Sequence, residues 1–404
     1  MLAAFSLASM GIGRIMWADR VDKIAPFRVM AVMERAKALQ AEGRHILHME
    51  VGEPDFATIQ PIIDAGIASL QQQQTGYTQA LGIPELRKAI ANYYKSDYGL
   101  EISPARIVVT PGASGALLLM SALLVNQGQS LMMADPSYPC NQQFLRIVEG
   151  AAQFVPVGPE QRYQLNGELI DRHWQDHTVG VLVASPANPT GEVLSKQQLQ
   201  DIAAAVRARG GVLIADEIYQ GLVYGERCHS ALEVDAEAFV INSFSKYFGM
   251  TGWRIGWMVA PEWALPGLEK LAQNLFISSP VTAQHAALAA FSPESRALLD
   301  QRRDEFAARR NVLLAGLKEL GFGIAHEPMG AYYIYADIQP FINSGRWRDS
   351  EDFCFDILER FGVALTPGTD FSPSEGGHHV RFAYTLSEAG LRDALQRLAS
   401  AIAE

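Results

Sequence analysis

Short apolar runs, rich in β-branched residues, recur through the middle of the chain. They are RIVVT (106–110), SLMMAD (130–135), AQFVPV (152–157), VGVLVA (179–184), VLIAD (212–216), AFVIN (238–242) and IGWMVA (255–260). Such runs carry no steady polar alternation, so they predict strands buried on both faces. Between several of them lie segments of helical period, such as ASGALLLMSALLVNQG and SKQQLQDIAAAVRARG. Strands alternating with helices predict a mostly parallel, doubly wound α/β domain over residues 60–290. Ligands of such a sheet belong at the carboxyl ends of its strands.

The pattern changes after about residue 290. A long charged helix is predicted over SPESRALLDQRRDEFAARRNVLLAGLKELG, followed by the strand-like AYYIYADI, GVALTPG and HVRFAYT. This reads as a smaller α+β domain. A helix around 29–42 is expected to pack on it, so the small domain is discontinuous, from 16–59 and 291–404. Residues 1–15 form an N-terminal extension.

Composition narrows the function classes. The chain has 404 residues, is 49% hydrophobic and 19% charged, and carries a net charge of -11. An acidic balance with no long basic run argues against nucleic acid or an anionic membrane as partner. No run of 18 uncharged apolar residues is present, so no membrane span is expected. The three cysteines, Cys140, Cys228 and Cys354, are scattered. They suit a reducing, cytoplasmic setting and offer neither a disulfide framework nor a zinc site. The adjacent His378 and His379 cannot both face one metal from a strand. The G-I-G-R at 11–14 follows no strand and is no dinucleotide fingerprint.

The chemistry gathers where strands end. VGVLVA runs into SPANPTG, VLIAD into EIYQG, AFVIN into SFSK and RIVVT into PGASGA. Taken alone, each feature has an ordinary reading. Lys246 could be a surface lysine in a loop, and Asp216 a helix N-cap. PGASGA could be one more glycine-rich turn, although its free N–H groups at a helix start suit a phosphate. Lys246 lacks an acidic neighbour and sits among Phe244, Tyr247 and Phe248, surroundings that lower a lysine pKa and favour attack on a carbonyl.

The set SPANPTG, DEIYQG, SFSKYFGMTGWRIGW and VRFAY resembles the class I/II aminotransferases, the fold-type I enzymes dependent on pyridoxal 5'-phosphate. The order and spacing of Asn188, Asp216, Lys246 and Arg254 agree, and the resemblance runs from VGEPDF (51–56) to the C-terminal helix. It implies that Lys246 forms the internal aldimine and then moves the substrate's α-proton. Asp216 would pair with the pyridinium nitrogen. Tyr219 and Asn188 would hydrogen-bond the ring's phenolate oxygen, and Tyr138 would stack on the ring. Ala113, Ser114, Ser243, Ser245 and Arg254 would hold the phosphate. Tyr77, in GYTQALGIPELR, would reach the phosphate of a neighbouring subunit in a homodimer.

Substrate positions follow from the same resemblance. Arg381 would clamp the α-carboxylate bidentately, and Gly52 would let backbone approach it. Asp135–Pro136 and Asn188–Pro189 would be cis. Phe27 and Arg28 fall where the N-terminal segment can close over substrate, although Arg28 reads as a solvated residue at a helix start. The implied reaction moves the amino group of an L-amino acid to a 2-oxo acid through internal aldimine, external aldimine and pyridoxamine phosphate. The alternative on the same fold is a β-lyase that cleaves C–S bonds. A non-catalytic regulator is the third reading; known ones carry an added DNA-binding domain, for which this chain has no room.

Overall fold

The computed structural model describes residues 17–404; the expected extension over 1–15 and the G-I-G-R stretch lie outside the described residues. Twelve strands follow in chain order: β1 (Leu47–His48), β2 (Ile107–Thr110), β3 (Ser130–Asp135), β4 (Ala151–Pro156), β5 (Thr178–Ala184) and β6 (Val212–Asp216), then β7 (Phe239–Ser243), β8 (Gly256–Val259), β9 (Tyr333–Asp337), β10 (Val363–Ala364), β11 (Thr366–Pro367) and β12 (His379–Ala383).

Strands β2 to β8 form one sheet in the order β2-β8-β7-β6-β5-β3-β4. It is parallel except for β8, which runs against both β2 and β7. All seven apolar runs of the sequence are strands of this sheet. Period 2 then divides their side chains between two layers. One face packs Leu131, Met133, Leu182, Ile214, Phe239 and Ile241 against Ala116, Leu119 and Met120 of the helix Gly112–Leu124. The other packs Met132, Val181, Val183, Leu213 and Val240 against Leu199, Ile202 and Val206 of the helix Lys196–Ala208. That second helix starts on a capping box: Ser195 accepts from the Gln198 N–H while the Gln198 side chain accepts from the Ser195 N–H.

Two small sheets stand apart from the large one. β11, β12 and β9 form an antiparallel trio in that order, and β1 pairs in parallel with β10. The helix Arg28–Ala41 buries Val32, Ala36 and Leu39 against Ile46, Leu358 and Ala364. Residues from both ends of the chain therefore share one core. The long helix Pro293–Glu319 is capped by Ser292 with proline in its first turn, where a missing N–H costs nothing.

Phe239 is fully buried at the centre of the large sheet. Phe239→Ala should lower unfolding stability by about 3–5 kcal/mol. A urea melt of the variant beside the wild type measures it.

Candidate active site

Sheet register gathers the site. Ala184 of β5 lies beside Asp216 of β6, and Asp216 beside Ile241 of β7. Ser243 of β7 and Thr110 of β2 both pair with Gly256 of β8. The carboxyl ends of β2, β5, β6 and β7 thus open on one edge, and the loops that follow converge there.

Glycines make the convergence possible. Gly112 has φ +70, and a Cβ on it would lie 2.5 Å from Arg254 Nη2. A Cβ on Gly256 would lie 2.9 Å from Gly112 C and 3.0 Å from Ala113 N. The start of the helix Gly112–Leu124, strand β8 and Arg254 therefore meet closer than side chains would permit. Arg254 itself is held left-handed, at φ 52, with Nη1 donating to the Thr251 carbonyl at 3.0 Å.

These loops enclose a cavity of about 330 Å³. Gly52, Ala113, Ser114, Tyr138, Asn188, Asp216, Tyr219, Ser245, Lys246, Arg254 and Arg381 all line it, eleven of the thirteen positions singled out in the sequence. Two stand elsewhere. Ser243 lies behind the wall, where its hydroxyl donates to Ser245 Oγ at 3.0 Å and accepts from the Ser245 N–H at 3.1 Å. Tyr77 is 83% exposed, away from the cavity. Asp135–Pro136 and Asn188–Pro189 are cis as expected, and Ser185–Pro186 is cis too.

Lys246 Nζ donates to the Gly52 carbonyl at 2.9 Å. The rings of Tyr219 and Tyr332 flank it at 5.6 and 5.7 Å. Burial pushes its pKa below the ordinary lysine value, and the positive charges of Arg381 and Arg254 act the same way, against Tyr333 and Glu53. Asp216 is buried and accepts from the Ile218 N–H at 3.1 Å. Burial raises its pKa to about 6, with the Ile218 bond and Lys246 opposing.

Arg381 is buried under three acceptors. Nη1 donates to Asn188 Oδ1 at 2.9 Å, and Nη2 to the Glu50 carbonyl at 2.5 Å and to Thr366 Oγ1 at 3.2 Å. Its guanidinium stacks over Tyr333 at 4.2 Å and Phe371 at 4.7 Å. Arginine only donates, so Asn188 Oδ1 is spoken for and its Nδ2 remains as a donor. Arg381 Nε is buried with no partner among the described residues. Phe27 also lines the cavity, edge-on to Tyr138 at 6.4 Å. Arg28 turns away from it to pair with Glu351 at 2.6 Å. Among the described residues no cluster suits a metal ion.

Sequence reasoning missed Tyr333. Its hydroxyl pairs with that of Tyr219 at 2.9 Å, and its ring supports Arg381. AYYIYADI announces a strand, but nothing in it says which tyrosine faces the ligand. Glu217 was also passed over. It is fully buried and accepts from the Ala231 N–H at 2.7 Å and Ser230 Oγ at 3.0 Å. Burial raises its pKa to about 8.

The residues fit pyridoxal 5'-phosphate on their own terms. A desolvated lysine faces a buried carboxylate, a helix start meets an arginine, and an unpartnered Arg381 Nε awaits an anion. Comparison with known proteins agrees. A profile described as "Aminotransferase class I and II" matches residues 44–398. A valine–pyruvate aminotransferase of Mycobacterium tuberculosis is 37% identical over 379 residues, 93% of this chain and 96% of the relative. A (5-formylfuran-3-yl)methyl phosphate transaminase of Methanocaldococcus jannaschii is 34% identical over 95% of this chain and 98% of its own length. The crystal structure of an aminotransferase from Mycobacterium tuberculosis superposes with a TM-score of 0.91 at 36% identity, covering 96% of this chain and 99% of that one. Aspartate aminotransferase from Thermus thermophilus with maleate gives 0.89 at 32% identity, over 95% of this chain and 99% of that one.

The chain therefore belongs to the class I and II aminotransferases. It is a pyridoxal 5'-phosphate-dependent transaminase of the α/β, fold-type I architecture, acting on amino acids and 2-oxo acids. The relatives support group transfer and not the lyase alternative.

Two outcomes follow from this geometry. A Cβ at Gly52 would lie 1.7 Å from Tyr333 Oη, so Gly52→Ala should displace the tyrosine beneath Arg381 and cost roughly 1–3 kcal/mol in substrate binding or stability. Tyr333→Phe in that background should recover part of the loss, a coupling that a double-mutant cycle reads. Asp216 and Glu217 keep protons in the folded chain up to pH about 6 and about 8. The unfolded chain releases them near 4, so stability of the cofactor-free protein should fall as pH rises across that window. Glu217→Gln should flatten the fall between pH 5 and 8, measured from urea midpoints.

Proposed function

We propose that this transaminase takes amino acids with an apolar side chain, using the cavity residues in the roles given below. The observation that carries this is the lining. Among the described residues the cavity's only lysine and arginines are Lys246, Arg254 and Arg381, while Phe27, Val29, Met30, Met33, Leu117 and Ile218 make an apolar wall. Glu50 and Glu53 add negative charge. An acidic side chain would enter without a cation of its own to meet.

When bound, pyridoxal 5'-phosphate supplies an aldehyde that captures the amino group and a conjugated ring that accepts electrons from Cα. Ala113 and Ser114 at the helix start, with Ser245 and Arg254, hold its phosphate. Ser243 serves that group indirectly, by fixing Ser245. Asp216 would accept the N–H of the protonated ring nitrogen, a pairing that would draw its own pKa back down. Tyr219 and the Asn188 Nδ2 would donate to the phenolate oxygen, and Tyr138 would pack against the ring. Arg381 and the Gly52 backbone orient the α-carboxylate. Lys246 Nζ provides the covalent tether and, neutral part of the time, accepts the Cα proton and returns it.

The chain divides on this reading into a large domain, 60–290, and a small one, 16–59 with 291–404. The assembly is a homodimer, supported by Tyr77: a large aromatic side chain left in the open suits a position against a second copy. Its place is the cytoplasm, where three unpaired cysteines persist as thiols, and its role lies in amino acid metabolism and biosynthesis.

Bleaching of the cofactor's absorbance across a panel of amino acids tests the specificity. Leucine, valine or methionine should bleach it at lower concentration than aspartate; the reverse order would refute the apolar assignment. Lys246→Ala should lower turnover by about 10³-fold or more. Arg381→Lys should raise KM for the amino acid roughly 10–100-fold, the worth of a lost charge-assisted hydrogen bond.

A further inference from the structure

A second cleft, of about 700 Å³, lies between the carboxyl ends of β3 and β4 and the face of β9 and β12. It is distinct from the catalytic cavity, and Phe371 stands between the two. One side of that ring meets Arg381 at 4.7 Å, and Tyr335 approaches it edge-on at 6.3 Å. Residues of the same strand faces serve both: Tyr333 and Arg381 line the catalytic cavity, and Tyr335 and His379, two positions along, line the cleft.

The cleft has an aromatic floor. Tyr335 stacks on His379 with centroids 4.6 Å apart and planes within 5°. Tyr163 meets both edge-on, at 6.1 and 6.5 Å. His379 Nδ1 is engaged by the Glu375 carbonyl at 3.1 Å, which makes it the donor and leaves Nε2 an acceptor. Pro136, Pro156, Val157, Pro159 and Ile324 make apolar walls.

Its carboxylates, Asp135, Asp337 and Glu375, have no lysine or arginine to answer them among the described residues that line the cleft. Two buried groups are left open. Ser374 Oγ donates to Asp135 Oδ2 at 2.7 Å, but Oδ1 has no partner among the described residues, and neither does the Tyr335 hydroxyl. Asp135 is 3% exposed and Tyr335 6%. An unanswered buried carboxylate oxygen and hydroxyl cost free energy unless something supplies the missing bonds. Transamination as derived above uses neither.

We propose that this cleft is a second binding site, for a small organic cation that carries N–H donors on an apolar or aromatic body. The cationic N–H groups satisfy Asp135 Oδ1 and Tyr335 Oη, and the carboxylates and aromatic faces stabilise the charge. The apolar part lies along the prolines and Ile324. Amidinium and ammonium ligands both meet this description. The inference does not depend on the substrate preference proposed for the catalytic cavity.

Benzamidine is the probe, since its amidinium is charged near neutral pH and is a poor amine for capture by the cofactor. Titrated into the holoenzyme by calorimetry, it should bind once per chain. Tyr335→Phe, which removes the open hydroxyl alone, should weaken binding about tenfold. Asp135→Asn should weaken it further. Tyr163→Ala should weaken it without changing the cofactor's absorbance or its bleaching by amino acids, which reports that the fold survives. Saturating amino acid should leave the affinity unchanged. Absence of binding would overturn the proposal, with the open groups met by water only. So would binding that these variants do not alter, or that amino acid displaces.

Discussion

A lysine held in an aromatic enclosure against a neutral carbonyl is the interaction on which this site turns. Lys246 meets the Gly52 oxygen and two tyrosine rings, and among the described residues no carboxylate pairs with it directly. A carboxylate in contact would fix the ammonium in its charged form. Desolvation does the opposite, and the neighbouring arginines reinforce it. The buried carboxylate of the cavity, Asp216, instead stands at the end of β6, where its own burial raises its pKa to about 6. Two groups of opposite charge thus share one cavity with each kept away from its ordinary titration.

The edge of the large sheet makes this arrangement rigid. Parallel strands place the loops after β5, β6 and β7 side by side, and the reversed β8 brings Gly256 between Ser243 and Thr110. Gly112 and Gly256 remove the two Cβ atoms that would hold the helix start away from the strand. What remains is a ring of backbone N–H groups, hydroxyls and one guanidinium, suited to a phosphate. Ser243, buried behind Ser245, belongs to the support of that ring more than to its face.

The Arg381 side of the cavity is built from distant parts of the chain. Arg381 comes from β12, its carbonyl partner Glu50 from the segment after β1, and Asn188 from the loop after β5. Tyr333, absent from any sequence motif, joins these parts: it carries Arg381 on its ring, bonds Tyr219 and permits only glycine at position 52. The same strand face continues to Tyr335 and His379, which is why a second cleft lies beside the first.

Much of this was legible in the residues. Seven apolar runs named the seven strands of the large sheet, because burial on both faces leaves no room for polar alternation. Motifs at strand ends named most of the side chains that line the cavity, because the proposed covalent lysine, ring-nitrogen carboxylate and phosphate cradle demand particular chemical types at the mouths of particular strands. The sequence by itself determined the fold class, the cofactor and the residues proposed to hold it. The tertiary structure alone decided that Ser243 stands behind the wall, that Arg28 serves Glu351, and that Tyr333 underlies Arg381. It also decided that one wall of the cavity is apolar. Those outcomes depend on how separate segments pack, from Tyr333 beneath Arg381 to Arg28 against Glu351, and local pattern carries no record of which side chain another strand will bring opposite.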